Sequence, residues 1–108
     1  MFYVENNNIT MTKGDSGSLF VKLSNPDGSE YVLNDGDSVV FSVKKRKESS
    51  FDVLLKKTGC RIDFNKKDTE KIPSGKYFYD VAILRSAGER YTAAEGILEI
   101  RKAVHDFE

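Results

Sequence analysis

Hydrophobic and polar residues alternate along most of this chain with a period close to two. The alternation is clearest over residues 39–44, 51–56, 77–84 and 98–101. These stretches are rich in β-branched and aromatic side chains, which suit the half-buried surface of a sheet. Since no stretch carries apolar residues at helical spacing over three turns, the pattern predicts an all-β chain.

Short polar segments containing glycine separate the predicted strands. Residues 25–28, 34–37 and 86–89 have the composition of tight turns, because proline and glycine supply the backbone angles that such turns need. They divide predicted strands at 18–24, 30–33, 38–45, 76–84 and 90–101. Gly96 inside the last strand predicts a bulge or bend. One helical turn is predicted over 66–72, capped by Asn65 and ended by Pro73.

Seven to nine short strands with such turns predict a single immunoglobulin-like antiparallel β-sandwich with one short helical turn. Tyr77 follows Gly75 by two residues. In immunoglobulin-like sandwiches a tyrosine so placed donates its hydroxyl to the backbone a few residues upstream. We therefore predict a tyrosine corner at Tyr77, with its acceptor within residues 68–71. The sandwich is expected to span residues 1–101 and to be followed by a loose tail, residues 102–108.

Composition narrows the class of protein. The chain has 108 residues, of which 39% are hydrophobic, and 17 basic residues balance 17 acidic ones. This length suits one domain, and a formal charge of zero argues against a dedicated nucleic-acid partner. The chain also lacks an apolar run as long as a membrane span and the features of a signal peptide near its start. We expect a soluble domain with no membrane partner.

Few residues suit catalysis or metal binding. The sole cysteine is Cys60 and the sole histidine is His105, which excludes an intrachain disulfide and a multi-histidine metal site. We therefore predict that the protein is not an enzyme and has no cofactor. Five oxygen-bearing side chains in two turns could bind calcium, but they match no calcium-loop motif and are also preferred turn formers. These residues are Asn25, Asp27, Asn34, Asp35 and Asp37.

Charge is unevenly distributed along this neutral chain. The segment 44–71 contains ten basic and five acidic residues. The rest of the chain contains seven basic and twelve acidic residues. The densest part is the run Lys44, Lys45, Arg46 and Lys47. Such a run is consistent with a solvated strand edge that resists aggregation, with a charge-complementary contact between copies of the chain, or with a nucleic-acid patch.

The aromatic residues near the end of the chain allow two interpretations. Four of them could form a platform for a sugar ring: Tyr77, Phe78, Tyr79 and Tyr91. Strand alternation instead predicts that Tyr77 and Tyr79 lie in the core and that Phe78 lies on the opposite face with Ala82 and Leu84. If that face is exposed, Phe78 and Leu84 form an apolar patch suited to a partner.

The order of motifs resembles that of a known group of proteins. The motifs are Lys-Gly-Asp at 13–15, Gly-Asp at 36–37 before an apolar strand, Ile-Pro-Ser-Gly-Lys-Tyr-Phe-Tyr-Asp-Val at 72–81 and Glu-Gly-Ile-Leu-Glu-Ile at 95–100. Together they resemble the small β-sandwich domains of tailed-phage structural proteins, in particular the N-terminal domain of baseplate upper proteins. The resemblance covers nearly the whole chain, and residues 73–81 are its most specific part.

The resemblance implies a non-catalytic structural module of a phage or prophage particle, associated with the tail or baseplate. Such a module would reside in the virion, and in the host cytoplasm before assembly. It would dock on itself or on other virion proteins, and the contact residues we predict are Lys44, Lys45, Arg46, Lys47, Phe78 and Leu84. Baseplate upper proteins use further modules to hold receptor-binding proteins, so that role is not carried over. The alternative is a carbohydrate-binding β-sandwich module.

Overall fold

The computed structural model describes residues 2–45 and 53–102, apart from the side chains of Tyr3 and Glu5. These residues form eight strands and one helix, α1, at Lys66–Thr69. The strands are β1 (Phe2–Glu5), β2 (Asn8–Thr12), β3 (Gly17–Phe20), β4 (Ser38–Lys44), β5 (Val53–Thr58), β6 (Arg61–Phe64), β7 (Gly75–Leu84) and β8 (Arg90–Arg101). The predicted all-β sandwich is confirmed. The predicted boundary near residue 101 stays a prediction, since residues 103–108 lie outside the described part.

Two sheets of unequal size make up the sandwich. The larger sheet has six strands in the order β1-β2-β8-β7-β4-β5, and the smaller one pairs β3 with β6. All neighbouring strands are antiparallel except β2 and β8, which run parallel. The expectation of a wholly antiparallel sheet is therefore wrong at this one pair. No tight turn joins β2 to β8, so the connection does not force them to run in opposite directions.

The β1–β2 hairpin was not among the predicted strands. Its turn is formed by Asn6 and Asn7, whose φ angles are 50° and 64°. Asparagine tolerates this left-handed region better than most residues do. Two-residue hairpin turns of type I′ require a positive φ at both central positions. The paired asparagines were the available sequence signal for this hairpin.

Residues 21–33 cover the core without forming the strands expected there. Strand β3 ends at Phe20, and beyond it only an isolated bridge pairs Ser24 with Glu30. The carboxylate of Asp27 accepts hydrogen bonds from the amide and hydroxyl of Ser29. Backbone hydrogen bonds from Asn25 N to Ser29 O at 2.8 Å and from Tyr31 N to Leu23 O at 3.1 Å flank this turn, so the predicted turn joins a short irregular hairpin and not two regular strands. Apolar side chains of the segment nevertheless pack on the core: Val21, Leu23, Tyr31 and Leu33.

Helix α1 is a single turn held by a capping box. The Asn65 side chain accepts from Lys67 N at 2.9 Å, and the Asp68 carboxylate accepts from Asn65 N at 2.8 Å. Capping by Asn65 is confirmed, but the helix ends at Thr69 and does not reach residue 72. Thr69 is fully buried, and its hydroxyl accepts a hydrogen bond from Gly14 N at 2.8 Å. Among the described residues, no helix is long and apolar enough to cross a bilayer.

The core lies between the inner face of the six-stranded sheet and the smaller sheet with residues 21–33. Phe41 is at its centre, with ring centroids 5.7 Å from Phe64 and 5.3 Å from Tyr79. The predicted core positions Tyr77 and Tyr79 are confirmed, since they are 5% and 7% exposed. Further buried side chains from both sheets complete the core: Ile9, Met11, Val39, Val43, Ile62, Val81, Leu98 and Ile100.

Gly96 allows a close approach of chain segments and does not mark a bulge. It stands in register with Tyr79, whereas the irregularity of the β7–β8 pair falls between Val81 and Ala82. A Cβ atom at Gly96 would lie 2.1 Å from the carbonyl oxygen of Asn7. The hydroxyl of Tyr79 donates to that same oxygen at 2.5 Å. The absent side chain therefore lets the β1–β2 turn rest on the sheet.

Candidate functional site

A row of exposed side chains crosses the outer face of the six-stranded sheet. Strand pairing places Ile97 of β8 beside Phe78 of β7, Phe78 beside Lys44 of β4, and Lys44 beside Val53 of β5. We call these four residues the outer-face row. Its three apolar members are 37–42% exposed. Adjacent strands are about 4.8 Å apart, so the row extends about 14 Å across the sheet.

Two carboxylates lie beside this row. Asp80 and Glu95 are register partners on β7 and β8. Together with Lys44, Phe78 and Ile97 of the outer-face row they line a shallow groove of about 380 Å³. Like charges directly opposite each other are unfavourable, and Arg90 offsets this by donating to Asp80 Oδ2 at 3.2 Å. The groove therefore combines apolar surface with charged groups of both signs, Lys44 on one side and Asp80 and Glu95 on the other.

The other oxygen of Asp80 is poorly satisfied. Within the described part of the chain, no donor reaches Oδ1, and this atom is buried. A buried carboxylate oxygen without a donor is unfavourable.

The structure brings together two of the predicted contact residues and leaves two outside its range. Lys44 and Phe78 are register neighbours on the outer face. Lys45 is exposed just after β4 ends. Arg46 and Lys47 lie outside the described residues, so their predicted role stays a prediction. The basic run therefore begins at the outer-face row itself.

Phe78 and Leu84 do not form one continuous apolar patch, and the contact role predicted for each of them stays a prediction. Both face outward from β7, but six residues separate them, which is about 20 Å along a strand. Arg90 is the register partner of Leu84, and its guanidinium reaches Asp80. The side chain of Arg90 thus passes over Ala82, which is only 2% exposed. Because this charged side chain interrupts the surface, Leu84 does not join the outer-face row.

The four aromatic residues do not form a platform, in agreement with the core positions predicted for Tyr77 and Tyr79. Tyr77 and Tyr79 are buried on the inner face, and Phe78 is on the outer face. Tyr91 pairs with Ile83, an inner-face residue, near the turn between β7 and β8. The four rings point to two sides of the sheet, because neighbouring strand residues face opposite ways.

Tyr77 makes a tyrosine-corner hydrogen bond with a different acceptor from the one expected. Its hydroxyl donates to the carbonyl oxygen of Pro73, four residues upstream. The carbonyl of Thr69, within the expected range, already accepts from Ile72 N at 3.0 Å. The bond fixes the crossing from α1 into β7 and has a structural role.

The aspartates of the two turns act in the backbone turns themselves. The Ser29 hydroxyl and amide bonds to Asp27 lower the pKa of that carboxyl below 3.8. Asp37 accepts from Asn34 N at 3.1 Å and from Ser86 N at 3.2 Å, tying two loops together. Among the described residues, no group of three or more His, Cys, Asp or Glu side chains could hold a metal ion. The turn-forming interpretation accounts for these residues.

A second cavity lies between residues 21–26 and the first half of β8, and sequence analysis missed it. Its volume is about 410 Å³. The guanidinium carbon of Arg85 lies 5.6 Å from the centroid of the Tyr31 ring and 5.3 Å from that of Tyr91. We call this cavity the tyrosine pocket. No motif could reveal it, because Tyr31 and Arg85 are 54 residues apart and meet only in the folded chain.

Comparison of the chain with models of known protein families, with curated proteins and with solved structures found no match.

Proposed function

We propose that this chain is a non-catalytic structural module of a phage or prophage particle, associated with its tail or baseplate. It docks on copies of itself or on another virion protein through the outer face and the β5 edge of the six-stranded sheet. The outer-face row is the single observation that supports docking most directly. The order of motifs, above all at residues 73–81, supports the assignment to a phage particle.

The outer-face row continues to a sheet edge. Val53 and Leu54 of β5 are each 42% exposed, and β5 is the outermost strand on that side of the described sheet. An edge strand presents backbone donors and acceptors along its open side. Apolar side chains that lead to such an edge form a surface on which a partner strand and its side chains can pack.

The charge pattern favours contact between unlike surfaces. Beyond the basic segment, the rest of the chain carries more acidic than basic residues. Lys44 lies in the outer-face row, and Asp80 and Glu95 lie beside it. Opposite charges on two docking surfaces set orientation and increase the rate of association. Docking between copies would therefore weaken as salt screens these charges.

Light scattering across protein concentration and salt tests the docking surface. We expect the wild-type chain to associate at low salt and Phe78→Ser to remain monomeric. Phe20→Ser is the matched control, because Phe20 is 69% exposed on β3 of the smaller sheet. A strictly monomeric wild-type chain would contradict docking between copies. Equal association of both variants would contradict the outer-face row.

Mass spectrometry of purified particles tests the proposed location separately. We expect the chain in tail or baseplate fractions prepared from the producing host. Its absence from intact particles would overturn the phage assignment, whatever the light-scattering result.

A further inference from the structure

The tyrosine pocket has apolar walls and an aromatic entrance. It lies at the end of the sandwich, where residues 21–26 face β8. Aliphatic side chains of Val21, Leu23 and Ile83 line it, together with the rings of Tyr31 and Tyr91. Its volume of about 410 Å³ falls in the range of small-molecule sites. The pocket is therefore large enough for a compact organic ligand.

Arg85 supplies a fixed positive charge in this pocket. Its Nη2 donates to the hydroxyl of Tyr31 at 2.6 Å. Its guanidinium lies near both tyrosine rings, a cation–π arrangement that restrains the side chain. Its Nε is buried and has no hydrogen-bond acceptor among the described residues. Arg85 thus places a positive charge beside an apolar cavity, while its buried Nε would meet a ligand only after a shift of the side chain.

The charge of the lining is one-sided. Arg85 and Lys22 line the pocket, and no aspartate or glutamate is among the described lining residues. The whole chain, in contrast, balances its charges. Glu89 lies outside the lining, where it accepts from the Tyr91 hydroxyl at 2.6 Å. The lining therefore favours an anion.

We propose that the tyrosine pocket binds a small organic carboxylate carried on an apolar or ring-shaped body. The Nη groups of the guanidinium offer charge-assisted hydrogen bonds to a carboxylate. The aliphatic walls and tyrosine rings contact the body of the ligand. This site is separate from the outer-face row, since Tyr31, Ile83 and Tyr91 belong to the inner side of the six-stranded sheet. Failure of one proposal leaves the other intact.

Titration of the isotopically labelled full chain, followed by NMR, tests this site. The probes are benzoate and glucuronate, which carry the carboxylate on an aromatic ring and on a sugar ring. Benzamide and glucose are the uncharged controls. We expect amide shifts at Tyr31, Tyr91 and Ala93 with a carboxylate probe and none with its neutral counterpart. The tighter of the two acids then identifies the body of the ligand.

Two variants test the role of charge. Arg85→Gln is expected to weaken carboxylate binding about tenfold or more, since it removes a charge-assisted hydrogen bond. Arg61→Gln is the matched control, because Arg61 also lies over an aromatic ring, that of Phe20 at 5.5 Å, outside the pocket. If Arg85→Gln fails to fold, Lys22→Gln, at an exposed position, is expected to weaken binding about threefold by loss of charge.

Two results would overturn the proposal. One is that neither acid shifts the amide resonances at about 10 mM, roughly ten times a weak Kd of about 1 mM. The other is an equal response to benzoate and benzamide, which would show that charge has no part in recognition.

Discussion

The two faces of strand β7 differ in what their aromatic side chains do. On the inner face, the hydroxyls of Tyr77 and Tyr79 each donate to a backbone carbonyl of another segment. On the outer face, Phe78 is 39% exposed, and its strand neighbours are Lys44 and Ile97. The inner rings thus fix the fold, while the outer ring is the one that we propose for docking. Residues adjacent in sequence serve different purposes because a strand alternates its faces.

The two faces of β7 differ because the rest of the described chain packs over only one of them. The smaller sheet and residues 21–33 pack over the inner face of the six-stranded sheet. In the described part of the chain, no element packs over the outer-face row. Apolar burial is the main stabilising contribution to folding. Stability should therefore depend on the inner face and recognition on the outer one.

The largest contrast is expected between Phe41→Ala and Phe78→Ala. Phe41 is fully buried between other rings, so its loss leaves a cavity and should cost about 3–5 kcal/mol. Phe78→Ala should cost about 1 kcal/mol or less, since much of its ring is already in solvent. Chemical denaturation of both variants measures the free energies of unfolding. Equal losses would contradict the division between the two faces.

A smaller contrast is expected between two strand glycines. Gly96→Ala should cost about 2 kcal/mol or more, because its methyl group would meet the backbone carbonyl of Asn7. In Gly17→Ala, the new methyl group would meet the ring of Phe2, a half-buried side chain near the sheet edge. We expect a lower cost there, because a side chain moves more easily than backbone. Denaturation midpoints decide the order, and a milder effect at Gly96 would contradict its spacing role.

The smallest effect concerns the hydroxyl of Tyr79. Tyr79→Phe should cost about 1 kcal/mol at neutral pH by leaving Asn7 O without its donor. Burial raises the pKa of Tyr79 above its ordinary value of 10.0. The unfolded chain therefore ionises first, and stability falls as pH rises from about 10 towards the raised pKa.

Tyr79→Phe removes the fall in stability that ionisation of Tyr79 causes at alkaline pH. The stability difference between wild type and variant should therefore shrink between about pH 7 and pH 11. Denaturation at both pH values gives the two differences. A constant difference would show that burial of this hydroxyl does not affect its ionisation.

Local patterns were sufficient for much of the fold. Alternation and turn composition predicted β4, β7 and β8, and Asn65 marked the start of α1. The same reasoning was less successful at residues 21–33, where the predicted strands are reduced to a short irregular hairpin. It also misjudged Gly96, because the segment that approaches this glycine is 89 residues away in the sequence. Local patterns carry no information about such distant neighbours.

Local patterns were likewise insufficient to show which residues meet at the candidate sites. Alternation placed Phe78 outside the core, but only strand register shows that Ile97, Lys44 and Val53 lie beside it. The expected grouping with Leu84 failed because Arg90 reaches across the sheet. The sequence could show which residues face outward. It could not show which of them are neighbours.

By itself, the sequence determined the all-β class, the core positions of Tyr77 and Tyr79, and the uneven distribution of charge. These properties depend on side-chain period and residue type, which are local. Tertiary structure alone decided the parallel β2–β8 pair, the outer-face row and the tyrosine pocket. Each of these joins residues that are distant along the chain, and their contact is established by packing and register.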